Sequence, residues 1–176
     1  DVNAKDNRNN TALIRASHNG RFEVIKLLLA KNADVNVKTI SGRTSLMEAI
    51  RTGNFEIIKL LVKKGADINV KSNEGDTALI LANTQREMTE LLIRKGANIN
   101  VKNKNGKTAL MINAQTILTA AAEVTPNRNL EVIKLFVQNG ADVNIRDNEG
   151  KTTLIYASET ERYEPTEEER LNIIKF

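Results

Sequence analysis

The sequence predicts an all-α solenoid, in which helix-turn-helix units with β-turn fingers stack into one array. The first observation is a Thr-x-Leu motif whose five copies begin at Thr11, Thr44, Thr77, Thr108 and Thr152. These threonines are 33, 33, 31 and 44 residues apart. The second observation is that an apolar block and then a turn follow each of the first four copies at a nearly fixed distance. A period near 33 residues is typical of stacked repeats rather than of one globular core.

The composition favours such an array and excludes several classes of site. Hydrophobic residues make up 40% of the chain, but aromatic residues only 3%, and tryptophan is absent. The core is therefore expected to consist of Leu, Ile, Val and Ala from closely stacked helices. The absence of cysteine excludes disulfides, thiolate metal sites and cysteine nucleophiles. No stretch approaches the ~20 apolar residues of a membrane-spanning helix, so no membrane insertion is expected.

Residues 39–71 illustrate one unit. Gly42 supplies the positive φ that a tight turn requires, and the hydroxyl of Thr44 is expected to cap the helix that follows. The spacing of apolar residues predicts a first helix over 45–51 and a second, more apolar helix over 55–63. One such pair of helices cannot bury its own apolar faces, so stacking against the neighbouring units is required.

The repeat pattern makes the chain a single array. Residues 1–5 match the tail of a preceding repeat, and 147–176 form a truncated or capping repeat. The repeats between them are 6–38, 39–71, 72–102 and 103–146. Second helices are expected to end at a left-handed residue, such as Gly65 or Asn32. Both ends of the chain fall within the pattern, so further sequence is expected beyond them, and the cellular compartment stays open.

In these motifs the chain resembles the ankyrin-repeat proteins. The family's unit reads Asp-x-x-Gly-x-Thr-Pro-Leu-His-x-Ala, with a later Gly-Ala-Asp-Val-Asn turn, and residues 147–152 and 140–144 closely match its two ends. The family's Pro is absent from every copy, and its His is replaced by apolar residues. These replacements are Ile14, Met47, Ile80, Met111 and Ile155. The resemblance implies the ankyrin fold, with apolar packing in place of the hydrogen bonds that this His makes in the family.

Two repeats carry insertions between their helices. Repeat four is 11 residues longer than the regular period, and the extra sequence falls within 115–129. Its first part is expected to prolong the first helix of that repeat, and Pro126 is expected to end it. A second insertion, 158–170, falls at the same place in the fifth unit. Two interpretations stay open: a functional contact made by neighbouring loops, or drift in loop length, which costs little free energy.

The other candidate surface is the row of turn tips with the exposed side of the first helices, which the resemblance implies is a concave binding face. Ile40 is unusual there, since its counterparts in the other repeats are polar. The candidate partner-binding residues are Arg8, Ile40, Arg43, Glu48, Arg51, Asn73, Glu74, Asp76, Lys104, Lys107, Glu149 and Lys151. Further helix-side positions are His18, Asn19, Thr84 and Gln85.

No catalytic, metal or cofactor site is found in the sequence. The turns at 106–108 and 150–152 resemble the end of a phosphate-binding loop but lack its first glycine. His18 is the only histidine and occupies the position of Arg51 in the next repeat, so it is expected at the surface. The acidic residues of 159–169 lack the regular ligand spacing of a calcium loop. We therefore expect no enzyme and no cofactor.

The predicted function is a non-enzymatic scaffold that binds a partner protein through the concave face. The alternative is a regulatory or targeting segment of a larger multidomain protein. The net charge of +4 is unevenly distributed, since residues 1–71 carry 13 Lys and Arg against 7 Asp and Glu, whereas 147–176 carry 4 against 8. The basic residues are nevertheless spread over the repeats without aromatic stacking platforms, so nucleic acid is not expected as a partner. The array is expected to be a monomer.

Overall fold

The structure is a computed structural model that describes residues 1–82, 85–120 and 126–158. Its helices in these ranges are α1 (Ala12–His18), α2 (Phe22–Ala30), α3 (Ser45–Thr52), α4 (Phe55–Lys63), α5 (Ala78–Leu81), α6 (Arg86–Arg94), α7 (Ala109–Ala120), α8 (Pro126–Gln138) and α9 (Thr153–Ser158). Helices α3 and α4 lie where the sequence predicts the two helices of a unit, with α3 one residue longer. The predicted all-α class is confirmed.

The helices form two stacked rows. An inner row consists of α1, α3, α5, α7 and α9, each in contact with the next, and an outer row consists of α2, α4, α6 and α8. The core between the rows is built mostly from Leu, Ile, Val, Ala and Met side chains, and Phe136 is the largest fully buried residue in the part of the chain that the structure describes. Each helix pair buries its apolar side against its neighbours, as expected for a solenoid.

The repeated threonines cap the inner helices. The Oγ1 atoms of Thr11, Thr44, Thr77 and Thr108 accept hydrogen bonds from the backbone N–H groups of Ile14, Met47, Ile80 and Met111, at 3.3, 3.4, 3.3 and 3.3 Å. All four threonines are buried. Each cap satisfies one of the free N–H groups at a helix start and stabilises the helix by ~1 kcal/mol. The capping role predicted for Thr44 is confirmed.

Asparagine side chains join consecutive repeats, and we call this set the asparagine ladder. The Oδ1 atoms of Asn3, Asn36, Asn69 and Asn100 accept hydrogen bonds of 2.8 Å from the backbone N–H groups of Asp34, Asp67, Asn98 and Asp142. The Nδ2 atoms of Asn36, Asn69 and Asn100 donate to the carbonyls of Gly65, Gly96 and Gly140 at 3.2, 3.1 and 3.0 Å. The ladder therefore fixes the spacing between successive repeats, because each asparagine side chain binds backbone groups of the next repeat.

Four of the five residues at the family's His position are buried, and the expected apolar packing is confirmed for them. Ile14, Met47, Ile80 and Met111 are at most 4% exposed. Ile155 differs, with 37% of its surface exposed. Its repeat is the last one that the structure describes.

Repeat three is shorter than the regular period, since its threonine and the next are 31 rather than 33 residues apart. A buried hydroxyl satisfies the end of its short inner helix. Helix α5 ends at Leu81, so the inner helix of this repeat has only four residues. Thr89 occupies the position of the buried Ile58 in the preceding repeat, and its side chain is fully buried. Its Oγ1 donates a hydrogen bond of 2.9 Å to the Ala82 carbonyl. That bond satisfies the carbonyl of Ala82 at the shortened end of α5, and it was not predicted from the sequence.

In repeat four the inner helix is longer, as predicted, since α7 has 12 residues. The prediction that Pro126 ends this helix depends on 121–125, which lie outside the described residues. Pro126 itself is the first residue of α8. Proline is favoured there because its missing N–H has no partner to lose in the first turn. The predictions for Thr84, for 121–125 and for 159–176, which includes nearly all of the second insertion, lie outside the described residues.

Candidate partner-binding face

The β-turn fingers are joined tip to tip by backbone hydrogen bonds. Their N–H donors are Ile40, Asn73, Lys104 and Asn148, and their carbonyl acceptors are Arg8, Ser41, Glu74 and Asn105, at 3.0, 2.9, 2.9 and 3.2 Å. Gly42 permits this approach because it has a φ of +75°, and a Cβ there would lie 2.7 Å from Asn73 Oδ1 and 2.9 Å from Asn73 N. The finger tips therefore form a continuous, closely packed row.

A groove of about 730 Å³ opens between the first two fingers and the helices α1 and α3, and we call it the N-terminal groove. Its lining residues are Arg8, Asn10, Ile14, Arg15, His18, Thr39, Ile40, Ser41, Arg43, Glu48 and Arg51. Five candidate residues predicted from the sequence meet here. His18 lies on the same wall, with half of its side chain exposed.

Glu48 lies on the floor of this groove, and its predicted exposure is wrong. Only 6% of the residue is exposed. Its Oε2 lies 2.8 Å from His18 Nδ1 and 3.3 Å from Arg51 Nε, and its Oε1 lies 3.4 Å from Arg43 Nε. The sequence placed Glu48 on the concave side of its helix correctly, but the side chains of His18, Arg43 and Arg51 cover the carboxylate. Its role is to hold them in place.

The cations around Glu48 favour its charged form. Burial raises the pKa of the Glu48 carboxyl, but the hydrogen bond from His18 and the charges of Arg43 and Arg51 outweigh burial and hold the pKa below its ordinary value. Arg51 Nη2 also lies 2.6 Å from His18 Nδ1. That nitrogen cannot donate to Glu48 and accept from Arg51 at the same time, and the bond to the carboxylate is the stronger one.

Two further arginines extend the groove toward the first finger. Arg15 Nη2 lies 2.8 Å from Asp6 Oδ2, and this bond, with those from Asn10, holds the pKa of the Asp6 carboxyl well below its usual range. Arg8 is exposed, and among the described residues its guanidinium has no ion pair or hydrogen bond. Its backbone is fixed, since its N–H donates to Asp6 Oδ1 at 2.8 Å and its carbonyl accepts from Ile40. Arg8 is thus an uncommitted cation on a rigid tip.

The basic residues at the other end of the face surround a tyrosine, and we call Lys107, Gln115, Asp147, Lys151 and Tyr156 the C-terminal cluster. The Tyr156 hydroxyl donates to Asp147 Oδ2, and both residues are buried. The Nζ atoms of Lys107 and Lys151 lie 4.5 and 5.5 Å from the centre of the Tyr156 ring. Lys107 Nζ also donates to Gln115 Oε1 at 2.9 Å. Lys107 and Lys151, both predicted to bind the partner, therefore already contact other side chains of the protein.

Asp147 is charged within this cluster. Burial raises the pKa of its carboxyl, but hydrogen bonds from the Tyr156 hydroxyl and from the Lys151 and Glu149 amides outweigh burial and hold the pKa below its ordinary value. Tyr156 was not among the predicted site residues. Its position, four residues after the repeat threonine, is the one that Glu48 occupies in repeat two. The equivalence of these two positions is the feature of the sequence that could have identified Tyr156 as a site residue.

Comparison with known protein families agrees with the observed stacking. Three family models match the chain: the model described as ankyrin repeats (3 copies) matches 1–72, the one described as ankyrin repeat matches 74–104, and the one described as ankyrin repeats (many copies) matches 118–167. The chain belongs to the ankyrin-repeat family. Ankyrin repeats are in general protein–protein interaction modules, and the family is typically non-catalytic. No curated protein matches the chain as a relative.

The remaining candidate residues of this ankyrin array divide into two groups. Asn73 and Asp76 join adjacent fingers, because Asn73 Nδ2 donates to the Ile40 carbonyl at 2.9 Å and Asp76 Oδ1 accepts from Asn103 Nδ2 at 3.1 Å. The other group consists of exposed or partly exposed residues in loose ion pairs. These pairs are Lys104 with Glu74 at 3.6 Å and Lys151 with Glu149 at 3.5 Å.

No helix within the described ranges is long and apolar enough to cross a membrane. The same part of the chain contains no group of three His, Cys, Asp or Glu side chains arranged to hold a metal ion. Arginines, hydroxyls and amides line the N-terminal groove, and this chemistry suits binding through charge and hydrogen bonds.

Proposed function

We propose that this ankyrin array binds a partner protein, without catalysing a reaction, through the concave face formed by its finger tips and inner helices. The observation that supports the proposal is the contrast between a constant frame and variable tips. Threonine caps and the asparagine ladder repeat with nearly constant distances along the chain. The exposed residue three positions before the repeat threonine varies between repeats: it is Arg8, Ser41, Glu74, Asn105 and Glu149.

The concave face is tested with peptides selected for binding to the whole chain. A phage-displayed peptide library is panned against the protein, and each binder is measured again on Arg8→Glu and Lys104→Glu. These two residues are exposed, and neither holds a buried carboxylate. We expect most binders to lose about tenfold or more in affinity on at least one of them, because reversing a contacting charge replaces attraction with repulsion.

The matched controls are Lys31→Glu and Lys95→Glu. Both lysines are exposed at the ends of the outer helices α2 and α6, and each reversal changes the net charge by the same amount. Binders that are weakened only by these outer variants place the interaction on the convex side and contradict the proposal. A library that yields no binder also counts against it.

A further inference from the structure

Four arginines line the N-terminal groove, and their charges are only partly compensated. Arg15 pairs with Asp6, and Arg43 and Arg51 share the single carboxylate of Glu48. Each of the latter two contacts Glu48 through Nε, at 3.4 and 3.3 Å. A guanidinium has five N–H donors, so donors remain on both arginines. With the unpaired Arg8, the groove has an excess of positive charge that no described residue neutralises.

The arginines are held in position before any ligand arrives. Glu48 is buried and lies between Arg43 on the second finger and Arg51 at the end of α3. Because these side chains are already ordered by the carboxylate, a ligand that contacts them loses less side-chain entropy on binding. Arg43 and Arg51 are still 33% and 45% exposed, which leaves room for a second anion.

Ile40 adds an apolar contact beside the unpaired arginine. It is 61% exposed, although its backbone is fixed on both sides by the Arg8 carbonyl and the Asn73 side chain. An exposed aliphatic side chain on a rigid backbone provides apolar area that a ligand buries without ordering a loop. Arg8 and Ile40 belong to adjacent, directly bonded finger tips.

The chemistry of the lining favours a peptide over a nucleic acid. No Phe, Tyr or Trp is among the lining residues. The one ring there, that of His18, is held by Glu48 and Arg51, so bases have no free stacking platform.

Asn10, Thr39 and Ser41 add an amide and two hydroxyl groups to the lining. Asn10 Nδ2 donates to Asp6 and the two hydroxyls bond each other, so Asn10 Oδ1 and the remaining hydrogen-bonding capacity of the hydroxyls are left for a peptide backbone. Arginine guanidinium groups match carboxylates in a planar, bidentate geometry.

We propose that the N-terminal groove binds an acidic segment of the partner protein, with carboxylates on Arg8 and Arg51 and an aliphatic side chain on Ile40. This inference rests on the proposed function and narrows it to one end of the face and one chemical class of partner. The Lys104 tip at the other end of the face is not part of this site.

The test is an NMR titration of the isotope-labelled chain with a peptide in which Leu residues are interspersed among Asp and Glu. Amide shifts report the location of binding even when affinity is weak. We expect shifts within 6–18 and 39–51, with affinity reduced about tenfold by Arg8→Glu and about fivefold by Ile40→Ser. The controls are Lys95→Glu for charge and Leu27→Ser for apolar area, because Leu27 is 68% exposed on the outer helix α2. Both controls should change affinity less than about twofold.

Other outcomes overturn the inference in distinguishable ways. Equal weakening by Arg8→Glu and Lys95→Glu means attraction by net charge alone. Equal binding of a peptide with Asn and Gln in place of Asp and Glu removes the role of carboxylates. Tighter binding of oligothymidylate or of phosphatidylserine vesicles at the same amides assigns the groove to another class of ligand. The absence of shifts, or shifts confined to 103–107, overturns the groove but leaves the concave-face proposal standing. Shifts confined to the outer helices contradict both.

Discussion

The two ends of the concave face use similar residues for different purposes. In the N-terminal groove a buried carboxylate, Glu48, holds two arginines that still face an open groove. In the C-terminal cluster a buried carboxylate, Asp147, accepts from Tyr156, and two lysines lie over the tyrosine ring. The first arrangement leaves cationic donors available to a ligand. The second uses its cations for internal packing.

The difference shows that position in the repeat does not decide whether a basic residue is available. Arg43, Lys107 and Lys151 all directly precede the repeat threonine. Their environments differ because the residue four positions after that threonine is Glu48 in repeat two and Tyr156 in the last described repeat. A carboxylate there pairs with a neighbouring cation from the floor of the groove, whereas an aromatic ring draws the lysines onto its face.

The largest expected effect on stability compares how closely the fingers pack at the two ends of the face. Gly42→Ala places a Cβ 2.7–2.9 Å from Asn73 in a left-handed backbone, so it combines strain with a clash. We expect a loss of about 3 kcal/mol in the free energy of unfolding. Gly150→Ala has a similar φ of +79° but no described atom within 4 Å, and about 1 kcal/mol is expected. Urea denaturation followed by circular dichroism measures both variants, and equal losses would show that the fingers are not closely packed.

The second effect concerns the buried carboxylate of the N-terminal groove. Glu48→Ala leaves Arg43, Arg51 and His18 close together without an anion. We expect a loss of about 2 kcal/mol, less than for a fully buried network because the cations are partly exposed. For a chain of this size, that lowers the melting temperature by roughly 4–8 °C. Glu74→Ala, which removes an exposed carboxylate, is the control and should shift the melting temperature by less than about 2 °C.

A third effect tests the C-terminal cluster. Tyr156→Phe keeps the ring for Lys107 and Lys151 but removes the hydroxyl that donates to Asp147. We expect a loss of about 1 kcal/mol, because Asp147 retains its hydrogen bonds from the Glu149 and Lys151 amides. A double-mutant cycle with Asp147→Asn measures the coupling. Additive losses would contradict a direct Tyr156–Asp147 bond.

The smallest effect is a change in acid sensitivity. The folded pKa of Glu48 lies below its ordinary value of 4.5, so its charged form stabilises the protein above that pH. This contribution is lost as the pH falls from about 4.5 through the folded pKa. The stability advantage of the natural chain over Glu48→Gln should therefore shrink as the pH falls below about 4.5. A difference that grows as the pH falls below about 4.5 would reverse the sign and contradict the depressed pKa.

Much of the fold was predictable because the same local capping and turn residues recur in several repeats. The threonine caps, the left-handed Gly65 and the limits of α4 follow from local rules that act within a few residues. The burial of Glu48 was not predictable, since it depends on His18 in the preceding repeat as well as on Arg43 and Arg51. Thr89 is similar, because its hydroxyl has a purpose only where the inner helix is short. The first feature depends on contacts between repeats and the second on the length of an inner helix, and neither follows from local sequence rules.

The asparagine ladder affects how the sequence of such an array can change during evolution. The Asn69 and Asn100 contacts to the following repeats are both 2.8 Å, although their partners lie 29 and 42 residues further along the chain. Added length between two helices therefore does not change the hydrogen bonds of the asparagine ladder. This mechanical isolation makes repeat four a tolerant insertion point, where new sequence can be acquired without altering the register of the remaining repeats.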